Sequence, residues 1–125
     1  MKSQFDQIIK DIIIISSEKD DQINLIGNGN VGTEMLINLG ISNQNLNVLL
    51  KQKLINENQK AQLEKFQNYI DFEADLDDDL DSEKWKETRI IAKELLAILN
   101  VNTFSVFLDK SGEFWEAKLN KMNNP

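Results

Sequence analysis

The chain contains no histidine and no cysteine, and it has one arginine and one proline in 125 residues. Without cysteine there are no disulfides, no thiolate metal sites and no cysteine nucleophile. Without histidine the commonest general base is missing, as is the usual partner that activates a nucleophile. A lone arginine, Arg89, cannot form a guanidinium clamp on phosphate, and no G-x-x-x-x-G-K-[ST] string is present. Carboxylate-pair chemistry stays open, because acids are plentiful and pairing is spatial, but dense surface acids are poor evidence for a tuned pair. The inventory points away from an enzyme and calls for no cofactor.

Long apolar runs are also missing. The run Ile12-Ile13-Ile14-Ile15 is far shorter than the about 20 apolar residues that span a bilayer. Asp6 and Asp11 stand among Lys2 and Lys10, so the basic start and unbroken apolar core of a signal peptide are both lacking. These features predict a cytoplasmic protein. Lys51, Lys53, Lys60 and Lys65 are each separated by neutral or acidic residues, so no basic patch for nucleic acid forms. No basic amphipathic helix suits a membrane surface.

The composition that remains is that of an ordinary folded chain. With 41% hydrophobic residues and this length, it reads as one domain over residues 1–125, large enough to bury a core. It carries 15 Ile and 15 Asn, and 13 of its 14 bases are Lys. These residues share A/T-rich codons, which associates the gene with an A/T-rich genome or mobile element.

Phe5, Ile8, Ile9, Ile12 and Ile13 follow the spacing of an amphipathic helix, with Ser3 as its N-cap. The β-branched end of that run is compatible with helix or strand. Residues 23–26 read as a short strand. Thr33 is a cap for a helix over 34–39 that stops at Gly40 in the usual C′ position. A third helix begins near Asn43 or Asn45 and buries Leu46, Leu49, Leu50 and Leu54. Asn56 or Asn58 caps a fourth, with Leu63, Phe66 and Ile70 on one face. Ser82 or Asp81 caps the fifth, whose stripe is Trp85, Thr88, Ala92, Leu95 and Leu99, widened by Ile91 and Ile98. Asn100 ends it. Its Lys84, Lys86, Arg89 and Lys93 suit pairing along the helix.

Phe104, Val106 and Leu108 alternate, Asp109-Lys110-Ser111-Gly112 turns, and Trp115, Ala117 and Leu119 alternate on the return. That is a β-hairpin, which must pack on a helix or add a third strand, because two strands alone are marginal. Residues 120–125 read as a frayed tail. The predicted class is α+β: mostly helical, about five helices, with a C-terminal antiparallel hairpin.

Two motifs bear on function. Gly27, Gly29 and Gly32 match G-x-G-x-x-G, a pattern that lets backbone approach a pyrophosphate. The context then departs from a dinucleotide fold. The next 30 residues read as helix, where a parallel strand ending in an acid is needed. A Gly/Asn turn is the plainer reading, and a small phosphate- or nucleotide-sensing loop is the alternative.

The second motif is acidic. Asp71, Glu73, Asp75, Asp77, Asp78, Asp79, Asp81 and Glu83 place eight acids and no base within residues 71–83. The whole chain has 21 acids against 14 bases, net −7; without these eight it has 13 against 14, net +1. The acidity is this segment. As a calcium loop starting at Asp75 it fails, since Leu80 stands where the turn needs glycine and Lys86 where a bidentate Glu belongs. A solvated loop leading into the fifth helix is the plain account. A docking surface for a basic partner is the functional one, with Phe72, Leu76 and Leu80 interleaved as anchors and Trp85 as a hot spot, unless Phe72 and Trp85 are core.

The expectation is therefore a non-enzymatic immunity-type inhibitor that covers a basic protein, such as a nuclease toxin domain. Its binding residues are the eight acids and Trp85. The competing expectation is a helical adaptor module that binds through a groove, its acidic loop only solubilising.

Overall fold

The computed structural model describes residues 4–27, 29–113 and 115–121. Six helices precede an antiparallel hairpin, an α+β arrangement of mostly helical character. Helix α1 spans Gln4–Ser16, α2 Lys19–Ile26, α3 Val31–Asn38, α4 Asn43–Lys51, α5 Glu57–Asn68 and α6 Glu83–Ile98. Strands β1, Ser105–Asp109, and β2, Glu116–Asn120, close the chain. The predicted Ser3 cap lies outside the described residues.

The Ile12–Ile15 run is helical. From Ile12 to Ser16 every residue of α1 is buried, because α6, the hairpin, α2 and α3 pack around it. A helix that is apolar all round is a core helix. Each buried isoleucine contributes roughly 1.5–3 kcal/mol. Its C-terminal carbonyls are satisfied from the side: Gln22 Nε2 donates to Ile14 O at 3.2 Å and to Ile15 O at 2.9 Å.

Residues 23–26 are not a strand but the end of α2. The helix starts upstream in Lys19-Asp20-Asp21-Gln22, and its buried position is the polar Gln22, so no apolar stripe marks it. Gly27 ends α2 at φ +103 and Gly29 continues at φ +107, conformations that glycine adopts without strain. Helix α3 begins three residues earlier than the sequence predicts, with Asn30 rather than Thr33 at the N-cap. It ends at an extended Leu39, and Gly40 takes no left-handed conformation.

Other boundaries follow local chemistry. Ser42 Oγ caps α4 at 3.1 Å from Asn45 N. Asn56 and Gln59 form a reciprocal capping box on α5. Ser82 Oγ accepts from Trp85 N at the start of α6. Asn100, at φ +61, ends α6 in a Schellman turn with Asn100 N on Ala97 O and Val101 N on Leu96 O, both 3.0 Å. Leu46 and Leu49 are buried as expected, while Leu54 is exposed. The bases of α6 mostly reach away from their own helix: Lys84 to Asp75, Lys93 to Glu18, and only Lys86 to Glu83 within it.

In the hairpin, Val106 faces Leu119 and Leu108 faces Ala117. Val106, Ala117, Leu119 and the preceding Phe104 pack against the core, and the strands contact α1 and α2 rather than a third strand. Asp109 Oδ1 accepts from Ser111 N and Oγ in the turn. Lys118 at 2.6 Å and Ser111 hold the Asp109 carboxyl well below the usual carboxylate range. Trp115 lies before β2 and is exposed under Lys110. Asn120, read as tail, is the last residue of β2, and Lys121 pairs with Asp6 at 2.8 Å. Residues 122–125 lie outside the described residues.

Candidate partner-binding surface

The acidic segment is a shaped loop, not a free tether. After Asn68 the chain continues as a π-helical turn, Tyr69–Glu73, closed by Ala74 N on Tyr69 O at 2.9 Å. This wider turn keeps Ile70 and Ala74 buried while Asp71, Phe72 and Glu73 stay exposed. Asp75 then reverses the backbone at φ +48, a left-handed conformation that Asp tolerates better than most residues. Two Asx turns follow: Asp77 Oδ1 accepts from Asp79 N at 2.9 Å, and Asp79 Oδ1 from Asp81 N at 3.2 Å.

From below, the loop is pinned at its carbonyls. Trp85 Nε1 donates to Asp77 O, and Arg89 Nη2 donates to Leu80 O, both at 2.7 Å. Arg89 is buried, and its Nη2 also donates to Gln22 Oε1 at 2.8 Å, which links the loop through Gln22 to the end of α1. The chain's only guanidinium is thus spent on neutral oxygens inside the protein.

On its flank the loop meets the glycine motif. Asp78 Oδ1 accepts from Thr33 N at 2.8 Å, and Thr33 Oγ1 lies 3.1 Å from Asp78 Oδ2. Thr33 is the third residue of α3, and the N-cap Asn30 makes no side-chain bond there. Asp78 therefore caps α3 from 45 residues away, filling the position where an anion would sit. Gly32 permits this approach, because a Cβ there would overlap the Asp77 carbonyl. The notch beside Gly27 and Gly29 is lined by Asp78, Asp79 and Asp81 with Lys19. A phosphate would have to displace Asp78 and enter a mouth of carboxylates, so the geometry argues against the nucleotide reading.

The eight carboxylates are exposed, and three of them meet lysines of the same chain. Asp81 is 2.7 Å from Lys19, Asp75 3.7 Å from Lys84 and Glu83 3.3 Å from Lys86. Lys19 depresses the Asp81 carboxyl through its hydrogen bond and charge and is itself raised in return. Pairs this exposed contribute little to stability. Asp71, Glu73, Asp77, Asp78 and Asp79 have no cation within 4 Å among the described residues. Asp71 instead accepts from Gln67 Nε2 at 3.0 Å. Among the described residues no three acids stand close enough to share a metal ion.

Trp85 is the clear correction among the predicted binding residues. It is fully buried, packed in the core with its indole N–H under the loop, and cannot meet a partner in this conformation. Leu80 is core as well. Phe72 is the reverse case: at 82% exposure it is an unburied aromatic in the middle of the acids.

A groove that no single stretch of sequence announces runs between α5 and α6 and encloses about 290 Å³. Its floor is apolar, with Phe66, Tyr69, Ile91 and Ile98; Lys65, Glu73 and Glu94 stand on its rim. The excess isoleucines on the α6 stripe are the sequence signal for it. Glu73 belongs to both groove and acidic segment, so the two surfaces are continuous.

No family model, curated protein or solved structure matches the chain. Among the described residues no helix is long and apolar enough to cross a membrane.

Proposed function

We propose that the protein is a non-catalytic, immunity-type inhibitor, acting in the cytoplasm, that neutralises a basic partner such as a nuclease toxin by covering its cationic cleft with residues 71–83. The observation that carries this reading is the segregation of charge on a braced loop. Asp71, Glu73, Asp77 and Asp79, with no cation within 4 Å among the described residues, and an exposed Phe72 project from a backbone that Trp85, Arg89 and the Asp78–Thr33 contact hold in place. A preformed negative surface loses little ordering entropy on binding, and its field accelerates encounter with a positive cleft. It also occupies the place of nucleic-acid phosphates. Trp85 leaves the set of contact residues, and Phe72 takes the part of aromatic anchor.

The test is binding to the protein encoded beside this gene, measured calorimetrically across ionic strength. We expect affinity to fall about thirtyfold or more between roughly 25 and 250 mM salt. Binding that hardly changes over that range would favour the adaptor reading, in which the acids only solubilise. No binding, or no inhibition of a basic neighbour, removes the immunity role.

A further inference from the structure

We infer that the groove between α5 and α6 receives an amphipathic basic helix of the partner. The inference rests on the reading of a basic partner and adds how the partner is gripped. Gln62, Phe66, Tyr69 and Glu73 line one wall and Ile91, Leu95 and Ile98 the other. Both sets repeat at three- and four-residue steps, so each side presents a helical ridge and the two together make the apolar lining. That is the geometry that seats the apolar face of a third helix, with anchors one turn, about 5.4 Å, apart. An extended peptide would find no free sheet edge here, since the only strands among the described residues are in the hairpin.

Charge selects the occupant. Lys65 is the single base lining the groove, against Glu73 and Glu94, and the groove opens at Glu73 into the acidic segment. A helix with lysines or arginines flanking its apolar stripe would place them over both rims. Phe72 and Ile90, exposed by 82% and 59%, are sequence neighbours of the groove-lining Glu73 and Ile91 but do not themselves line the groove. A neutral helix would leave the rim carboxylates facing apolar surface, and an acidic one would be repelled.

The experiment uses fluorescence anisotropy with two labelled peptides of about 14 residues, roughly four helical turns. One carries leucines on one helical face and lysines on the other; the control keeps the lysines and replaces the leucines with serine. The wild type should bind the leucine peptide about tenfold more tightly than the control. Ile98→Ser should weaken that binding about fivefold, and Lys65→Glu, on the rim, should tighten it severalfold at low salt. Equal binding of both peptides, unaffected by Ile98→Ser, overturns the groove while leaving the acidic-surface reading standing. Binding of neither peptide in low salt sinks both. If Lys65→Glu changes nothing, the occupant is not basic. A concentration-dependent dimer abolished by Ile98→Ser would assign the groove to a second copy and likewise overturn the inference.

Discussion

Asp11 is 5% exposed in α1, and burial pushes its carboxyl up to about 6, against the pull of Gln7 Nε2 at 3.3 Å and the charge of Lys10. Its folded value lies above the ordinary 3.8, so the fold favours the protonated form. The associated stability is fully present below about pH 4 and is lost as the pH rises through 6. Asp11→Asn keeps the shape without the charge. It should raise stability by about 1–3 kcal/mol at pH 7.5 and leave it unchanged near pH 4, read by thermal melts at both values. An equal gain at both would show that titration is not the cause. Gly32 makes a steric argument at the same scale. A methyl there collides with the Asp77 carbonyl, so Gly32→Ala must lift the loop or shift α3, at a cost of about 1–3 kcal/mol. Faster amide exchange across residues 76–81 would locate the damage in the loop; an unchanged melt would mean that the two segments do not touch. Neither residue is legible alone. A buried Asp in an isoleucine helix reads as an exposed one, and Gly32 reads as part of a phosphate motif until Asp77 is seen above it.

Elements with strong local chemistry were readable. The stripe of α6 and its Ser82 cap, the Asn56 cap of α5 and the left-handed Asn100 all depend on neighbours within four residues. Helix α2 is not legible as a helix because its buried residue is Gln22 and its apolar residues cluster at its end, before Gly27 at positive φ. Trp85 fitted both the core stripe and a hot spot; only the packing of the loop over it decides between them. The acidic loop is the element in which local and distant chemistry meet. Within it, Asp78 supplies the cap that Asn30 does not, whereas Asp71, among the described residues, accepts from the Gln67 amide alone. Asp78→Ala should therefore cost about 1 kcal/mol in urea unfolding, and Asp71→Ala under about 0.5. Similar small costs for both would mean that α3 is not capped in trans.

At the scale of the whole molecule, the α+β class was legible because helix and strand periods are local, while the groove was not, because its two sides, residues 62–73 and 91–98, are separate segments of the chain. The charge asymmetry was legible in full, and on the proposed reading it would govern how the molecule meets a basic partner. Asp71→Asn, Asp77→Asn and Asp79→Asn together take the net charge from −7 to −4. Asparagine retains the Oδ1 acceptor used in both Asx turns and by Gln67, so the loop keeps its shape. Long-range steering depends on summed charge, whereas in the proposed complex the holding contacts would come from Phe72 and the groove. The triple variant should bind the basic partner about tenfold more slowly at low salt, with dissociation changed less than about twofold, and the difference should fade near 0.5 M salt. Phe72→Ala should do the opposite, leaving association intact and speeding dissociation. Stopped-flow mixing of each variant with the partner separates the two rates. If the triple variant altered only dissociation, the acids would be short-range contacts and the steering argument would fall.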